Sequence, residues 1–124
     1  MMDLILLYIG SGLTVIWGVA HLFPTKSVVR GFGEINIDNK RILTMEWITE
    51  GLTLIFIGVV VAAVTVIDPS NAVSNAVYLI AVIMLLVMAL LSLFTGFKVS
   101  FLPFKLCPFI FTFSAVLIMI GGLI

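Results

Sequence analysis

Four long stretches of apolar residues, separated by short polar segments, dominate the pattern of the chain. They cover about residues 4–23, 44–67, 72–94 and 108–124. A helix needs about 20 apolar residues to cross the hydrocarbon core of a bilayer, and each stretch approaches or exceeds that length. The pattern therefore predicts an all-α polytopic membrane protein whose single domain is a bundle of four transmembrane helices.

The segments between these spans contain the residues that begin and end helices. In the first long loop, 24–43, we expect a short interfacial helix that ends at Gly31 or Gly33, followed by an ordered turn. Asp38 is a suitable N-cap, which places the start of the second long helix near Asn39. In the other long loop, 95–107, and just after it, proline residues predict a break before the fourth span.

Composition narrows the class of protein further. The chain has 124 residues, of which 63% are hydrophobic and 10% are charged, whereas about 25% of the residues of a soluble domain are charged. This composition excludes a soluble globular domain and a disordered chain. The net charge is zero and no extended basic patch occurs, so we expect no nucleic acid partner.

The charged residues are distributed unevenly between the two predicted sides of the membrane. Asp3 and Asp68 lie on the side of the termini, whereas all basic residues fall in the two long loops: Lys26, Arg30, Lys40, Arg41, Lys98 and Lys105. Basic loops are usually cytoplasmic. We therefore predict a multi-pass protein of the cell membrane with cytoplasmic basic loops and both termini outside. Basic residues at the inner surface also attract anionic lipids.

Small residues indicate which helices pack closely. The first span carries Gly10, Thr14 and Gly18 at intervals of four, and the second carries Gly51 and Gly58. Helices in membranes associate through small residues that let their backbones approach, so we expect these two spans to pack against each other. The third span is rich in large aliphatic residues, which predicts either the most lipid-exposed helix or a homo-oligomer contact.

A few polar and ionisable residues fall within the predicted spans, where they are energetically costly. Glu46 and Glu50 are four residues apart on one face of the second span, and Thr53 continues that face. His21 lies near the same end of the first span. A hairpin through the loop would bring these groups to one depth near the cytoplasmic surface.

Two tryptophans accompany this polar group, and the lone cysteine lies at a similar depth. Trp17 is one turn from His21, and Trp47 follows Glu46, so both join the candidate ligand-binding site. A single cysteine, Cys107, excludes an internal disulfide, and we expect it to be a small buried side chain.

The polar group allows three interpretations. In the first, the role of the group is structural: the negative charges of the glutamates are stabilised near the helix N-terminus and pair with nearby Lys or Arg. His21 then donates a hydrogen bond to one of the glutamates. In the second, two carboxylates and an imidazole bind a ligand or exchange protons with an apolar substrate. In the third, Glu46, Glu50 and His21 hold a metal ion such as Zn, Mn or Fe.

The end of the first span resembles a known family. The segment Gly18-Val-Ala-His21-Leu-Phe-Pro24 resembles the end of the first helix of small four-span DoxX-like membrane proteins, which also share the length and layout of this chain. The resemblance implies a compact four-helix bundle with a membrane role, sometimes beside redox or quinone systems. It transfers no catalytic residue to this chain.

Two other families provide comparisons. Sterol-isomerase-type four-span proteins also use His and Glu inside a bundle, a likeness of residue types alone. Small multidrug transporters have similar length and an intramembrane Glu, but theirs lies in the first helix, where this chain has none.

These observations predict a small integral membrane protein that binds an apolar or lipid-like ligand, or a membrane protein partner, through a polar site between its first two spans. The alternatives are a membrane-embedded enzyme with Glu and His acid–base chemistry, and an oligomeric proton-coupled transporter. The sequence identifies no cofactor and no catalytic residue.

Overall fold

The structure, a computed structural model, describes residues 1–124 and contains no strand. It has five α-helices, joined by short turns: α1 Met2–Leu22, α2 Thr25–Arg30, α3 Ile37–Ile67, α4 Ala72–Phe94 and α5 Leu102–Leu123. All of them except α2 are long enough and apolar enough to cross a membrane. The predicted all-α bundle of four long apolar helices is confirmed.

The helix α1 lies at the centre of the packing arrangement. It packs against α3 on one side and α5 on the other, and α5 also packs extensively against α4. The contact between α3 and α4 is smaller and includes a hydrogen bond of 2.9 Å between the Thr65 and Tyr78 hydroxyls. In this bundle α1 and α5 therefore pack against each other, with α3 packed mainly on α1 and α4 packed mainly on α5.

Glycines make the contact between α1 and α3 close. A Cβ atom added to Gly18 would lie 2.7 Å from the carbonyl oxygen of Gly51, and one added to Gly58 would lie 2.6 Å from that of Ser11. The predicted packing of these two helices is confirmed. Gly10 differs from the expectation, because it faces Leu117 and Ile118 of α5 instead of α3.

The core of the bundle is apolar, and every helix presents large aliphatic residues to its surroundings. Fully buried side chains come from all four long helices, including Leu7, Leu54, Leu85, Phe111 and Ile118. The most apolar window of α4 is 28% buried, the same share as in α1 and α3. The third span is therefore not the most lipid-exposed one, because the α1 and α3 surfaces are equally open.

The beginning of α3 lies two residues before the predicted one. Asn36 is the N-cap residue, and its side-chain oxygen accepts a hydrogen bond from the Asn39 amide at 2.8 Å. Asp38 lies in the first turn, where its charge favours the positive end of the helix dipole. The preceding α2 ends at Gly31, as predicted, and Gly33 has a φ of 75°, a conformation that favours glycine.

The last helix begins earlier than predicted. It starts at Leu102, with Pro103 in its first turn, where the missing amide of a proline costs no helical hydrogen bond. Pro108 lies inside α5 and is buried. It removes one hydrogen bond to the carbonyl of Phe104 but does not end the helix, since the surrounding packing holds the backbone in place. The loop before α5 is consequently short.

Tyr78 lies at the predicted end of the bundle, the one that carries the termini, but it is buried instead of facing the membrane interface. The sequence places Tyr8 and Tyr78 near the outer membrane interface, where aromatic residues are common. Tyr8 is exposed, but Tyr78 is fully buried beside Thr65 and Gly122. A hydroxyl partner inside the bundle satisfies its polar atom and leaves the ring to fill the core.

Candidate functional site

The centre of the candidate site is a pair of ionisable side chains on neighbouring helices. His21 lies in the last turn of α1, and Glu50 lies on the facing part of α3. The Nε2 atom of His21 is 3.5 Å from Oε2 of Glu50. The close approach of Gly18, one turn before His21, and Gly51, directly after Glu50, sets this spacing. The predicted proximity of His21 and Glu50 is therefore present.

An aromatic side chain holds His21 in place. The indole of Trp47 stacks on the imidazole with 3.9 Å between ring centroids and an interplanar angle of 17°. Its Nε1 also donates a hydrogen bond of 2.8 Å to the backbone carbonyl of His21. Because this carbonyl belongs to the last turn of α1, it has no partner within the helix. Trp47 thus fixes both the end of α1 and the plane of the His21 ring.

The two members of the pair differ in their exposure. The His21 side chain is 8% exposed, whereas that of Glu50 is 44% exposed. Nε2 of His21 is buried and forms no hydrogen bond; its 3.5 Å separation from Oε2 of Glu50 exceeds the usual range of about 2.7–3.2 Å for an N–H···O bond. Buried polar atoms nearly always have a partner. The pair thus combines a buried imidazole without a hydrogen bond at Nε2 with a carboxylate that can be reached from outside.

The helix α5 completes the surroundings of the pair. Phe104 lies 5.5 Å from Trp47 between ring centroids, and Cys107, one turn further along α5, packs against the apolar core, as Trp17 does. The Cys107 thiol donates to the carbonyl of Pro103 at 3.5 Å and is half-buried, whereas the sequence predicts a buried side chain. The site is therefore formed by three helices.

Sequence reasoning did not assign Phe104 and Cys107 to this site. The apolar pattern begins the fourth span at residue 108 and therefore predicts that both residues lie in a loop. The signal that would have included them is the proline at position 103, which suits the first turn of a helix as well as a break.

Glu46 and Thr53 lie outside the pair that the structure brings together. Glu46 is exposed and forms no ion pair, and the Thr53 hydroxyl donates within its own helix to the carbonyl of Thr49 at 2.8 Å. One turn of helix, about 5.4 Å, separates Glu46 from Glu50, and α1 ends at Leu22. Glu46 consequently lies beyond the end of α1 and not opposite His21.

The alternative interpretations of the polar group can be compared with this geometry. No three His, Cys, Asp or Glu side chains are grouped so that they could hold a metal ion. No Lys or Arg side chain forms an ion pair with either glutamate: Arg41 is 3.8 Å from Asp38, and Lys105 donates to the carbonyl of Phe97 at 2.9 Å. Of the predicted partners of the glutamates, only His21 comes within 4 Å, at Glu50, and the predicted hydrogen bond from its imidazole Nε2 is not formed.

A separate apolar groove lies at the other end of α1 and α3. It is open, with a volume of about 770 Å³, and its lining includes Gly12, Val59, Ala62, Ala63 and Ile67. No charged residue lines it. The groove is a feature of the lipid-facing surface and does not extend to Glu50.

Comparison with protein-family models, with curated proteins and with solved structures finds no match for the chain. The fold and composition alone define the class, a multi-pass membrane protein whose four apolar helices form a bundle. The DoxX-like resemblance of residues 18–24 stays a prediction.

Proposed function

We propose that this protein is a small integral protein of the cell membrane that binds a lipid-like ligand at the pair formed by His21 and Glu50. The observation that carries the proposal is the unpartnered, buried Nε2 of His21 facing the half-exposed carboxylate of Glu50. An ionisable group in a membrane helix is costly unless it has a role or a partner. Here the protein supplies no Lys or Arg partner to Glu50 within 4 Å.

The depth of Glu50 indicates what kind of ligand fits. At 1.5 Å per residue, Glu50 lies about 26 Å along the α3 axis from Ile67. If the outer boundary of a hydrocarbon core about 30 Å thick is at Ile67, Glu50 lies inside the core, roughly one helical turn from its inner boundary. A molecule that binds there has its polar head at the membrane boundary and its apolar body between the lipid chains. This is the shape of a lipid-like amphiphile.

The chemistry of the pair defines the head of that ligand further. An ionised carboxylate only accepts hydrogen bonds, so the ligand head must donate one, as a hydroxyl or an ammonium group does. The imidazole of His21, held by Trp47, lies behind this carboxylate with its Nε2 3.5 Å away. The DoxX-like resemblance supports this proposal, because His21 is a residue of the segment that carries it.

The orientation of the protein is part of the proposal. All six basic residues lie in loops at the end of the bundle that contains Glu50, whereas Asp3 and Asp68 lie at the other end. The positive-inside rule supports cytoplasmic basic loops and termini outside the cell. The ligand would then bind in the inner leaflet. A basic or hydroxyl-bearing side chain of a membrane partner would satisfy Glu50 by the same chemistry.

Native mass spectrometry of the protein released gently from detergent tests the proposal. We expect a bound lipid-like mass on the wild type that Glu50→Gln loses, because an amide accepts hydrogen bonds more weakly than a carboxylate and carries no charge. Glu46→Gln is the matched control, since it removes the same charge one turn away without touching His21. We expect this variant to retain the mass.

Two results would contradict the proposal. One is an identical set of bound masses on the wild type and on both variants. The other is a bare protein in every case, even after incubation with total membrane lipid. Size-exclusion chromatography and circular dichroism of each variant would show that a loss of ligand does not reflect a loss of fold.

A further inference from the structure

The first three turns of α3 carry an exposed stripe that combines basic and apolar residues. Its members recur every three or four residues and line a shallow, open concavity of about 410 Å³: Ile37, Lys40, Arg41, Thr44, Met45 and Ile48. Residues at this spacing share one face of a helix. These six residues form the basic stripe.

The length of α3 places the basic stripe at the membrane surface. The helix has 31 residues and is therefore about 46 Å long, whereas the hydrocarbon core is about 30 Å thick. If the core ends at Ile67 on one side, it ends near Ile48 on the other. Lys40 and Arg41 then lie roughly 10–12 Å beyond the hydrocarbon boundary, a distance that their long side chains bridge to the phosphates by snorkelling.

The two cations of the stripe are available to a ligand. The nearest acidic group of Arg41 is Asp38 at 3.8 Å, and their side chains are 74% and 82% exposed. Ion pairs of this kind are worth little and exchange readily. Lys40 is exposed and forms no ion pair. The Thr44 hydroxyl donates to the carbonyl of Lys40 at 2.8 Å. The side-chain hydrogen-bond donors of the stripe that remain for a ligand are therefore those of Lys40 and Arg41.

We infer that the basic stripe binds one anionic phospholipid, with its phosphate between Lys40 and Arg41, its glycerol beside Met45 and the beginning of an acyl chain at Ile48. Arginine forms two parallel hydrogen bonds to phosphate oxygens, and lysine adds a second positive charge. Complementary charge at the depth of the headgroups, with exposed apolar side chains directly below it, selects a lipid as the occupant. This site does not involve Glu50 and is independent of the proposed function.

A lipid titration followed by native mass spectrometry tests the inference. The probes are phosphatidylglycerol, which is anionic, and phosphatidylcholine, which is zwitterionic, added to the delipidated full chain. Each basic residue near a membrane surface contributes about fivefold to the binding of anionic lipid. We therefore expect the Lys40→Gln, Arg41→Gln double variant to bind phosphatidylglycerol roughly 30-fold more weakly than the wild type, with phosphatidylcholine unaffected.

The matched control is the Lys98→Gln, Lys105→Gln double variant. It removes the same charge from the same end of the protein but leaves the basic stripe intact, so we expect nearly wild-type binding. Equal binding of the two lipids to the wild type would overturn the inference. So would an equal loss in both double variants, which would show a diffuse attraction by net charge. Lys40, Arg41 and Lys98 are exposed, whereas Lys105 is half-buried and bonded to the Phe97 carbonyl, so thermal unfolding of each variant must show that it folds.

Discussion

The indole Nε1 of Trp47 donates a hydrogen bond of 2.8 Å to the backbone carbonyl of His21, and the rings of the same two residues are stacked. This double contact joins the end of α1 to α3, the two helices that a short helix and a turn connect. It also holds the imidazole in the plane from which Nε2 faces Glu50. The contact that positions His21 in the candidate site is thus also a packing contact between α1 and α3.

We expect Trp47→Phe to destabilise the protein by about 1–2 kcal/mol. The variant keeps an aromatic ring against His21 but leaves the carbonyl without its donor, and an unsatisfied buried polar group costs about 1–3 kcal/mol. The midpoint of unfolding in a mild detergent, followed by circular dichroism, measures the change. An unchanged midpoint would show that this hydrogen bond does not hold the end of α1.

The glycines at the contact of α1 and α3 provide a second prediction. Gly58→Ala places a methyl group 2.6 Å from the Ser11 carbonyl oxygen and 2.5 Å from a Val15 methyl group, so the helices must move apart. We expect a loss of about 1–3 kcal/mol, as for other overpacked sites. Gly12→Ala is the control, because a Cβ there meets nothing within 4 Å.

The two alanine variants should therefore differ in sign. Alanine favours a helix over glycine by about 1 kcal/mol, so Gly12→Ala should leave the unfolding midpoint unchanged or raise it. Equal destabilisation by the two substitutions would contradict the close packing of α1 and α3 near Gly58.

The buried hydroxyl pair at the other end of the bundle is tested by a double-mutant cycle. Tyr78→Phe and Thr65→Val each remove one side of the 2.9 Å hydrogen bond. Such bonds inside membrane proteins average about 0.6 kcal/mol and reach about 1.7 kcal/mol. We expect a coupling in the unfolding free energies within this range. Strictly additive effects would mean that the two hydroxyls do not interact.

The orientation of the protein can be measured with single cysteines. In a Cys107→Ala background, Ser70→Cys lies in the turn between α3 and α4, and Ser27→Cys lies on α2; both positions are exposed. We expect a membrane-impermeant maleimide added to intact cells to label position 70 and not position 27. The opposite labelling would reverse the proposed topology, and Ser27→Cys should become reactive once the cells are lysed.

Much of the fold follows from the sequence, because hydrophobic length alone defines membrane helices. The second and third spans end where the structure ends them, at residues 67 and 94. The predicted helix boundaries are wrong where a polar residue or a proline is compatible with more than one position in a helix. Asn36 and Asp38 are both good N-caps, and only the course of the chain after Gly33 selects Asn36. Pro108 was expected to precede a helix that in fact contains it.

The candidate site was predictable only in part, for a geometric reason. Periodicity places Glu46 and Glu50 on one face of a helix, but the depth at which α1 ends decides which carboxylate meets His21. That depth depends on how Gly18 and Gly51 align, which local sequence does not encode. The same is true of Gly10: a glycine allows close approach by either neighbour of α1, and the sequence does not show that this neighbour is α5 and not α3.

The most direct test of the central claim uses the fact that His21 is the only histidine of the chain. Protein labelled with ¹⁵N-histidine therefore gives imidazole signals from this residue alone. We predict that these signals change in Glu50→Gln and not in Glu46→Gln, and that removing the bound lipid-like ligand from the wild type changes them as well. Signals that are the same in both variants and insensitive to ligand removal would contradict a ligand site at His21 and Glu50.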